Sequence, residues 1–213
     1  AVNCWGLTIS DLALSHNAYG VLLVGTTGSR IERVTATNNT AAGIRLQESP
    51  SNTLIGNTVT DGGYGIQIYY SANNVLEDNV MARNRYNFSC EGSPTQLHQS
   101  IDTSNTVDGK LIYYLVGRTQ VGLNPSSRAG CVFAIDCSNI VVHNLTLRNN
   151  GAAVVFVNTR DSVVEDVNAI DNSQAGIVLR TCTGCTIRRS TISGNRDGVS
   201  IQDSKTILVD RGR

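Results

Sequence analysis

Acidic side chains are the first residues of this chain that could support chemistry on a sugar. Hydrolysis of a glycosidic bond uses two carboxyl groups about 5 to 10 Å apart. The candidates are Glu48, Asp102, Asp108, Asp136, Asp203 and a tighter group of Asp161, Glu165 and Asp166. The chain has an internal repeat, and no two of these carboxylates occupy the same outward position of the first strand in successive repeats. The sequence therefore favours a protein without catalysis, and a polysaccharide lyase or glycoside hydrolase is an alternative.

A polar and aromatic set is better suited to binding sugars than to cleaving them. It consists of Arg45, Gln47, Gln67, Tyr69 and Tyr70. Aromatic faces stack on pyranose rings, and planar polar groups bond to hydroxyls. We predict that these five side chains form a carbohydrate-binding platform, unless they are an ordinary solvated sheet face.

Six cysteines offer thiol chemistry, and four of them suggest pairs. Cys182 and Cys185 form a C-x-x-C motif in a predicted turn. Without a second pair or a helix, this motif predicts a local disulfide or two free thiols, and neither zinc nor thioredoxin-like chemistry. Cys90 and Cys131 fall at inward positions on either side of an interruption, where they either pack as small hydrophobes or form a bridge.

The remaining chemical motifs are sequons and metal ligands. Asn38, Asn87 and Asn144 each begin an Asn-X-Ser/Thr sequence, the acceptor for N-glycosylation. The histidines and the single methionine are His16, His98, His143 and Met81. They share no spacing, so we expect no metal site and no cofactor.

An internal repeat of 22 to 23 residues positions these groups. Lines of the repeat begin at Gly20, Gly43, Gly65 and Asn87, and again at Gly130, Ala153, Gly176 and Gly198. The residues one and three positions after each start are apolar, which indicates a strand with those side chains inward. In the line that begins at Gly130, this pattern places Cys131 and Phe133 inward and Val132 and Ala134 outward.

Further apolar groups in each line indicate three short strands per coil. One such column contains Ile31, Leu54, Leu76, Val141, Val164, Ile187 and Val209. Coils stacked about 4.8 Å apart would place like side chains above like in parallel sheets. The fold we predict is all-β: a right-handed parallel β-helix, or solenoid, of about eight coils. A leucine-rich repeat and a β-propeller fit less well, because the L-x-x-L-x-L core and hairpin turns are missing.

Asparagine is the second landmark of the repeat. It recurs in three columns: Asn52, Asn74 and Asn139; Asn57, Asn79 and Asn144; and Asn39, Asn84, Asn149, Asn172 and Asn195. Asparagine tolerates left-handed turns, and stacked amides can pair from coil to coil. We therefore assign these asparagines to architecture and not to a site.

The repeat is interrupted once, over about residues 88–129. We predict one domain, 1–213, with coils over 1–87 and 130–213 and a β-containing insertion between them. The insertion includes Asp108-Gly109 as a turn and Leu111 to Val116 as a strand.

This interruption carries a family resemblance. The segment from Ile101 to Leu115, followed by the line from Gly130 to Leu147, resembles a linker of NosD-like β-helix proteins. The repeat pattern from Gly43 to Ile55 is similar to that of the same family. The resemblance implies a carbohydrate-binding or sugar-hydrolase repeat domain of archaeal or bacterial surface proteins. The family name also implies copper delivery, which the scattered His and Met do not support.

Composition limits the partners. Lys plus Arg equals Asp plus Glu at 17 each, and this zero net charge argues against nucleic acid. No apolar run approaches the roughly 20 residues of a membrane span. Six cysteines and little charge fit an extracellular or cell-surface location. We predict a structural or adhesive module that self-assembles into a surface layer or filament, with other copies or surface glycans as partners; a carbohydrate-binding module is the alternative.

Overall fold

The computed structural model describes residues 1–210, and nearly all of its regular structure is β-strand. The chain forms two compact units, Ala1–Ile112 and a second that begins at Tyr113. Short 3₁₀ helices occupy Pro94–Leu97 and Pro125–Ser127. Within the described part, no helix is long and apolar enough to span a bilayer. The all-β solenoid predicted from the repeat is therefore confirmed. The predicted domain ends at residue 213, so its last three residues lie outside the described range.

Fourteen strands lie wholly in the first unit and follow the repeat. They are β1 Thr8–Ser10, β2 Ala13–Ser15, β3 Tyr19–Val24, β4 Arg30–Glu32, β5 Thr35–Thr37, β6 Ala42–Gln47, β7 Thr53–Ile55, β8 Thr58–Thr60, β9 Tyr64–Tyr69, β10 Val75–Glu77, β11 Val80–Ala82, β12 Tyr86–Glu91, β13 Ser100–Ile101 and β14 Thr106–Val107. Strand β15, Lys110–Val116, runs through the boundary between the units in the chain.

The second unit contains coils of the same 22- to 23-residue repeat. Its strands are β16 Gly122–Leu123, β17 Ala129–Ile135, β18 Val141–His143, β19 Thr146–Arg148, β20 Val154–Val157, β21 Val163–Glu165, β22 Asn168–Ile170, β23 Ala175–Arg180, β24 Thr186–Arg188, β25 Thr191–Ser193, β26 Asp197–Gln202 and β27 Leu208–Asp210.

Each coil of the first unit contributes one strand to each of three parallel sheets. The sheets are β3, β6, β9 and β12; β1, β4, β7, β10 and β13; and β2, β5, β8, β11 and β14. In the four-stranded sheet, Ile44 pairs with both Val21 and Ile66. Apolar residues therefore stack on apolar residues from coil to coil, and the inward columns form a fully buried core of Leu23, Ile44, Leu46, Ile66, Ile68 and Phe88.

Amides of asparagine hold the turns of the first unit together, as the sequence predicts. The Oδ1 of Asn79 accepts from the backbone N–H of Asn57 at 3.1 Å and from its Nδ2 at 2.8 Å. Asn105 repeats this pair one coil further on, with its Oδ1 2.8 Å from the Asn79 Nδ2. All three side chains are completely buried. The ladder therefore satisfies backbone groups that would otherwise be unpaired in the interior.

The interruption is shorter in the structure than the sequence indicates. Strand β12 pairs in register with β9, and β13 and β14 pair in parallel with β10 and β11. The coils therefore continue to Val107, and β15 then turns back antiparallel to β14. The sequence obscures this coil because it has eight residues between Glu91 and Ser100, including the first 3₁₀ helix. Gln99 replaces asparagine there, and its longer side chain reaches the Asn74 N–H at 2.8 Å.

The register predicted for the line at Gly130 is wrong by one residue. Val132 pairs with Val154 and Ala134 with Phe156, so these residues point inward, and Cys131 and Phe133 point outward. A slip of one residue exchanges the two faces of a strand. The sequence could not reveal it, because all seven residues of β17 are buried and the alternation is lost.

The same slip affects the later columns. Val142, and not Val141, pairs with Val164 and lies in the core, while Val141 is 38% exposed. Asn139 and Asn144 are exposed turn residues with left-handed backbone, at φ values of 54° and 52°. Asn149 is likewise left-handed (φ 58°). Its neighbour Asn150 is the buried ladder residue, and the backbone N–H of Asn150 donates to Asn172 Oδ1 at 3.1 Å.

The outward residues of the neighbouring strand β20 are also buried. Val155 and Val157 are 5% and 1% exposed. The ring of Tyr114, from β15, stacks on Phe133 with 4.9 Å between the ring centroids. Tyr114, which belongs to the predicted insertion, therefore contacts the outward side chain of Phe133.

Candidate functional site

The outer face of the four-stranded sheet of the first unit carries the predicted carbohydrate platform. Tyr69 ends β9, and Tyr70 follows it in left-handed backbone with a φ of 50°. This turn places the two rings edge to face, with 4.3 Å between their centroids. Tyr70 is 44% exposed, whereas Tyr69 is half-buried. Together they form an aromatic ridge with one ring open to solvent.

Arg45 links the other members of the set to this ridge. Its Nη1 donates to Gln67 Oε1 and its Nη2 donates to Gln47 Oε1, each at 3.2 Å. Its guanidinium carbon lies 5.4 Å from the centre of the Tyr69 ring, which is within cation–π range. The structure thus brings all five predicted residues together. Gln67 is only 7% exposed, so it supports the site from beneath.

The phenols of the ridge interact through their hydroxyls. The hydrogen bond with Tyr70 is the largest of the effects that raise the pKa of Tyr69, and burial and the charge of Glu91 act in the same direction. Tyr69 therefore remains a neutral phenol at physiological pH. A neutral phenol both donates and accepts hydrogen bonds, which suits a sugar hydroxyl.

A second aromatic cluster was not identified from the sequence. The rings of Tyr64 and Tyr86 lie 5.2 Å apart, and the Arg85 guanidinium lies 5.3 Å from the Tyr86 ring. The two tyrosines are directly paired on β9 and β12. Their position just before the landmark residues Gly65 and Asn87 was a signal that the column analysis did not use.

Four of the cysteines occupy positions that other coils fill with hydroxyl residues. Cys182 Sγ donates to the Arg180 carbonyl at 3.4 Å, as Ser204 Oγ does to the Gln202 carbonyl at 2.8 Å. The side chains in this column are Cys4, Thr26, Ser49, Ser71, Cys137, Thr159, Cys182 and Ser204, and each donates to the carbonyl two residues before it. Cys185 makes the same contact to Thr183 at 3.8 Å. These thiols therefore extend a hydroxyl ladder.

The predicted cysteine pairs have different surroundings. Cys182 and Cys185 are free thiols, each 1% exposed. A hydrogen bond between them raises the pKa of Cys182 and lowers that of Cys185. Cys131 is a fully buried free thiol whose pKa is raised by burial, and Cys90 is 7% exposed. Whether either pair oxidises remains a prediction.

The three sequons also differ in exposure. Asn38 and Asn144 are exposed in left-handed turns. Asn87 is completely buried, and its Nδ2 donates to Asp108 Oδ2 at 2.7 Å. Only the first two could carry a glycan in this fold without loss of a buried hydrogen bond.

The acidic cluster near residue 165 is occupied by arginines. Arg188 and Arg189 contact Glu165 at 2.6 and 3.0 Å, and Arg189 contacts Asp166 at 2.8 Å. These arginines lower the pKa of both carboxyl groups. A general acid in sugar hydrolysis needs the opposite shift. The cluster thus favours an ion-pair network over an acid–base pair.

The residues present do not fit a copper centre. Met81 is completely buried in the core, where its strand pairs with those of Val59 and Val107. His143 Nδ1 lies 3.6 Å from the carboxylates of Glu165 and Asp166, which the arginines already pair. Over residues 1–210, no three His, Cys, Asp or Glu side chains converge as metal ligands.

Two family models match consecutive parts of the chain. Residues 1–99 match a model described as periplasmic copper-binding protein (NosD). Residues 100–211 match a model described as right handed beta helix region, which is more than half of the chain. Comparison with curated proteins gives no match.

Proposed function

Because the chain belongs to the NosD-like right-handed β-helix family, we propose that it is an exported, adhesive β-helix module that binds carbohydrate on the outer face of its first unit. The NosD model is described as periplasmic, which supports export. Extracellular or cell-surface display extends this proposal. The observation that carries the binding role is the exposed Tyr70 ring, held edge to face by Tyr69.

The geometry of the ridge suits the binding of a sugar. An aromatic ring that is 44% exposed offers an apolar face to a pyranose. Next to it, Arg45, Gln47 and the Tyr69 phenol supply planar polar groups for hydroxyls. Parallel sheets hold these side chains on a rigid surface, so little entropy is lost when a ligand binds.

A glycan array with the purified chain tests this function. We expect retention of at least one class of oligosaccharide, and about two- to tenfold weaker binding by Tyr70→Ala, as expected for the loss of one stacking face. Trp5→Ala is the matched control, because Trp5 is an exposed aromatic (82%) outside the ridge. An array without retained glycans, or equal loss in both variants, would contradict the proposal.

A second candidate is the self-assembling structural module, which exposed apolar side chains on the first and last described coils favour. Among the described residues, β1 pairs only with β4 and β27 only with β24. Exposed apolar side chains accompany these edges: Val2, Trp5, Leu12, Ile201, Leu208 and Val209. A strand with one partner and exposed apolar side chains favours strand addition, whether by a further coil of a longer chain or by another copy.

Light scattering over a concentration series tests assembly. We expect the mass to rise with concentration and Val209→Lys to prevent it, because a charge on an edge strand opposes pairing. A particle of constant monomeric mass in the unsubstituted chain would rule this candidate out.

A further inference from the structure

Arg45 differs from Arg30, Arg33 and Arg83 in its partners, because each of those three pairs with a carboxylate. Its two terminal nitrogens donate to the amide oxygens of Gln67 and Gln47, and its face lies over Tyr69. All of these partners are neutral. The amides and the ring therefore orient the guanidinium without cancelling its charge.

Arg33 and Arg83, in the same unit, are neutralised by carboxylates. Arg33 bonds to Asp11 at 2.7 Å, and Arg83 bonds to Asp61 at 2.8 Å. Both are bidentate pairs. Within residues 1–210 no carboxylate forms an ion pair with Arg45, although Glu91 lies close enough for its charge to act on Tyr69.

The Arg45 side chain is also partly withdrawn from water. It is half-buried, and its Nε is a buried donor without a hydrogen-bond partner in the structure. Such a group costs free energy, and its presence calls for an explanation. A charge that is held rigidly, half-buried and without a counter-ion is the arrangement expected where an anion binds.

The guanidinium retains donors for that anion. Each terminal nitrogen has two N–H groups, and the amide oxygens use one on each. The remaining pair can bind two oxygens of a carboxylate or sulfate side by side, which is the geometry that guanidinium favours. Tyr70 stands beside Tyr69 at the edge of this surface and can contact the ring that carries the anionic group.

We propose that Arg45 binds the anionic group, a carboxylate or a sulfate ester, of an acidic saccharide that stacks on the Tyr69–Tyr70 ridge. This inference rests on the proposed carbohydrate-binding function and specifies its ligand class. Selection against neutral sugars follows, because a neutral ligand would leave the half-buried charge of Arg45 without a partner.

The test is an array of oligomers of glucuronic acid, galacturonic acid and sulfated galactose, beside uncharged oligomers of the same linkage and length. We expect retention of the acidic oligomers with little binding of the uncharged ones. Arg45→Gln should weaken binding of the acidic oligomers about tenfold or more. The carboxylate and sulfate arms distinguish the two sources of charge. Binding should also weaken as salt is raised.

Arg83→Gln is the matched control. It removes an equal charge from the same unit, but Asp61 already neutralises the charge of Arg83. It should leave retention unchanged. Retention of uncharged oligomers as strong as of acidic ones, or equal loss for both classes in Arg45→Gln, would overturn the acidic-ligand inference and leave carbohydrate binding standing. If no oligomer of either class is retained, the proposed function falls and this inference falls with it. A merely structural Arg45 would lower the melting temperature without changing the preference for charged oligomers.

Discussion

The thiol of Cys182 donates to the carbonyl oxygen of Arg180 at 3.4 Å, the contact that serine or threonine makes at the same position of other coils. Cys182 also continues the ladder to the next coil, since its backbone N–H donates to Ser204 Oγ at 3.0 Å. Cys182 therefore takes the place of a serine or threonine in the ladder. The C-x-x-C motif in the sequence does not indicate this role.

This relationship predicts that Cys182→Ser is tolerated. The serine hydroxyl can make the same hydrogen bond, so the free energy of unfolding should change by less than about 1 kcal/mol. Chemical denaturation monitored by circular dichroism measures it. Cys131→Ser is the contrast, because that thiol is fully buried on an apolar strand and its hydroxyl would cost about 1–3 kcal/mol. Equal effects of the two substitutions would refute the hydroxyl-ladder role.

Asn79 should be among the most sensitive positions of the first unit. Its Nδ2 donates to the Leu54 carbonyl at 2.9 Å, and its Oδ1 accepts from Asn57. Asn79→Leu leaves those buried backbone groups unpaired, and we expect a loss of about 2–4 kcal/mol. Asn73→Asp, at an exposed turn with left-handed backbone, is the control and should change stability by less than about 0.5 kcal/mol. A small effect of Asn79→Leu in thermal or denaturant unfolding would argue against the ladder as a source of stability.

The sequons should separate by exposure when the chain is secreted from a host that performs N-glycosylation. We expect glycans at Asn38 and Asn144 in the folded fraction, and none at Asn87, because Asn87 is buried and bonded to Asp108. Peptide mapping by mass spectrometry measures the occupancy of each site. A modified Asn87 in monodisperse, folded protein is the result that would contradict this prediction.

Acid should weaken the second unit through Glu165 and Asp166. Arg188 and Arg189 lower the pKa of these carboxyls in the folded state, so their stabilising effect is present above the ordinary values of 4.5 and 3.8. It is lost as the pH falls through the lowered values. The double variant Glu165→Gln, Asp166→Asn should therefore melt earlier than the unsubstituted chain near neutral pH, and the difference should close below pH 3.8.

Glu77→Gln removes an exposed carboxylate of the first unit and serves as the control for this titration. Its melting temperature should follow that of the unsubstituted chain at every pH. A gap between the double variant and the unsubstituted chain that persists in acid would show that the two substitutions disturb packing and not the ion pairs.

Much of the first unit was predictable because its faces differ. Ile44 and Leu46 alternate with Arg45 and Gln47, so the period of two fixes both the strand and its register. The same alternation identified the platform residues, since outward side chains of neighbouring coils lie about 4.8 Å apart. Stacking of these columns followed from spacing alone.

The second unit was harder to predict because β17 is buried on both faces. Because β17 has no polar face, the position of Gly130 indicated the wrong register. The same error of one residue affected the predicted positions of Cys131, Val141 and Asn144. Local spacing cannot correct such a slip, since only the pairing of Val132 with Val154 defines the register.

By itself the sequence determined the solenoid and the column of each repeated residue in the first unit, because hydrophobic periodicity is a local property of the chain. Only the tertiary structure decided that Arg45 is bonded to neutral amides, that Gln67 and Asn87 are buried, and that Cys182 replaces a hydroxyl. Those properties depend on the side chains of the neighbouring coil. These side chains are adjacent in space but about 22 residues away in the sequence.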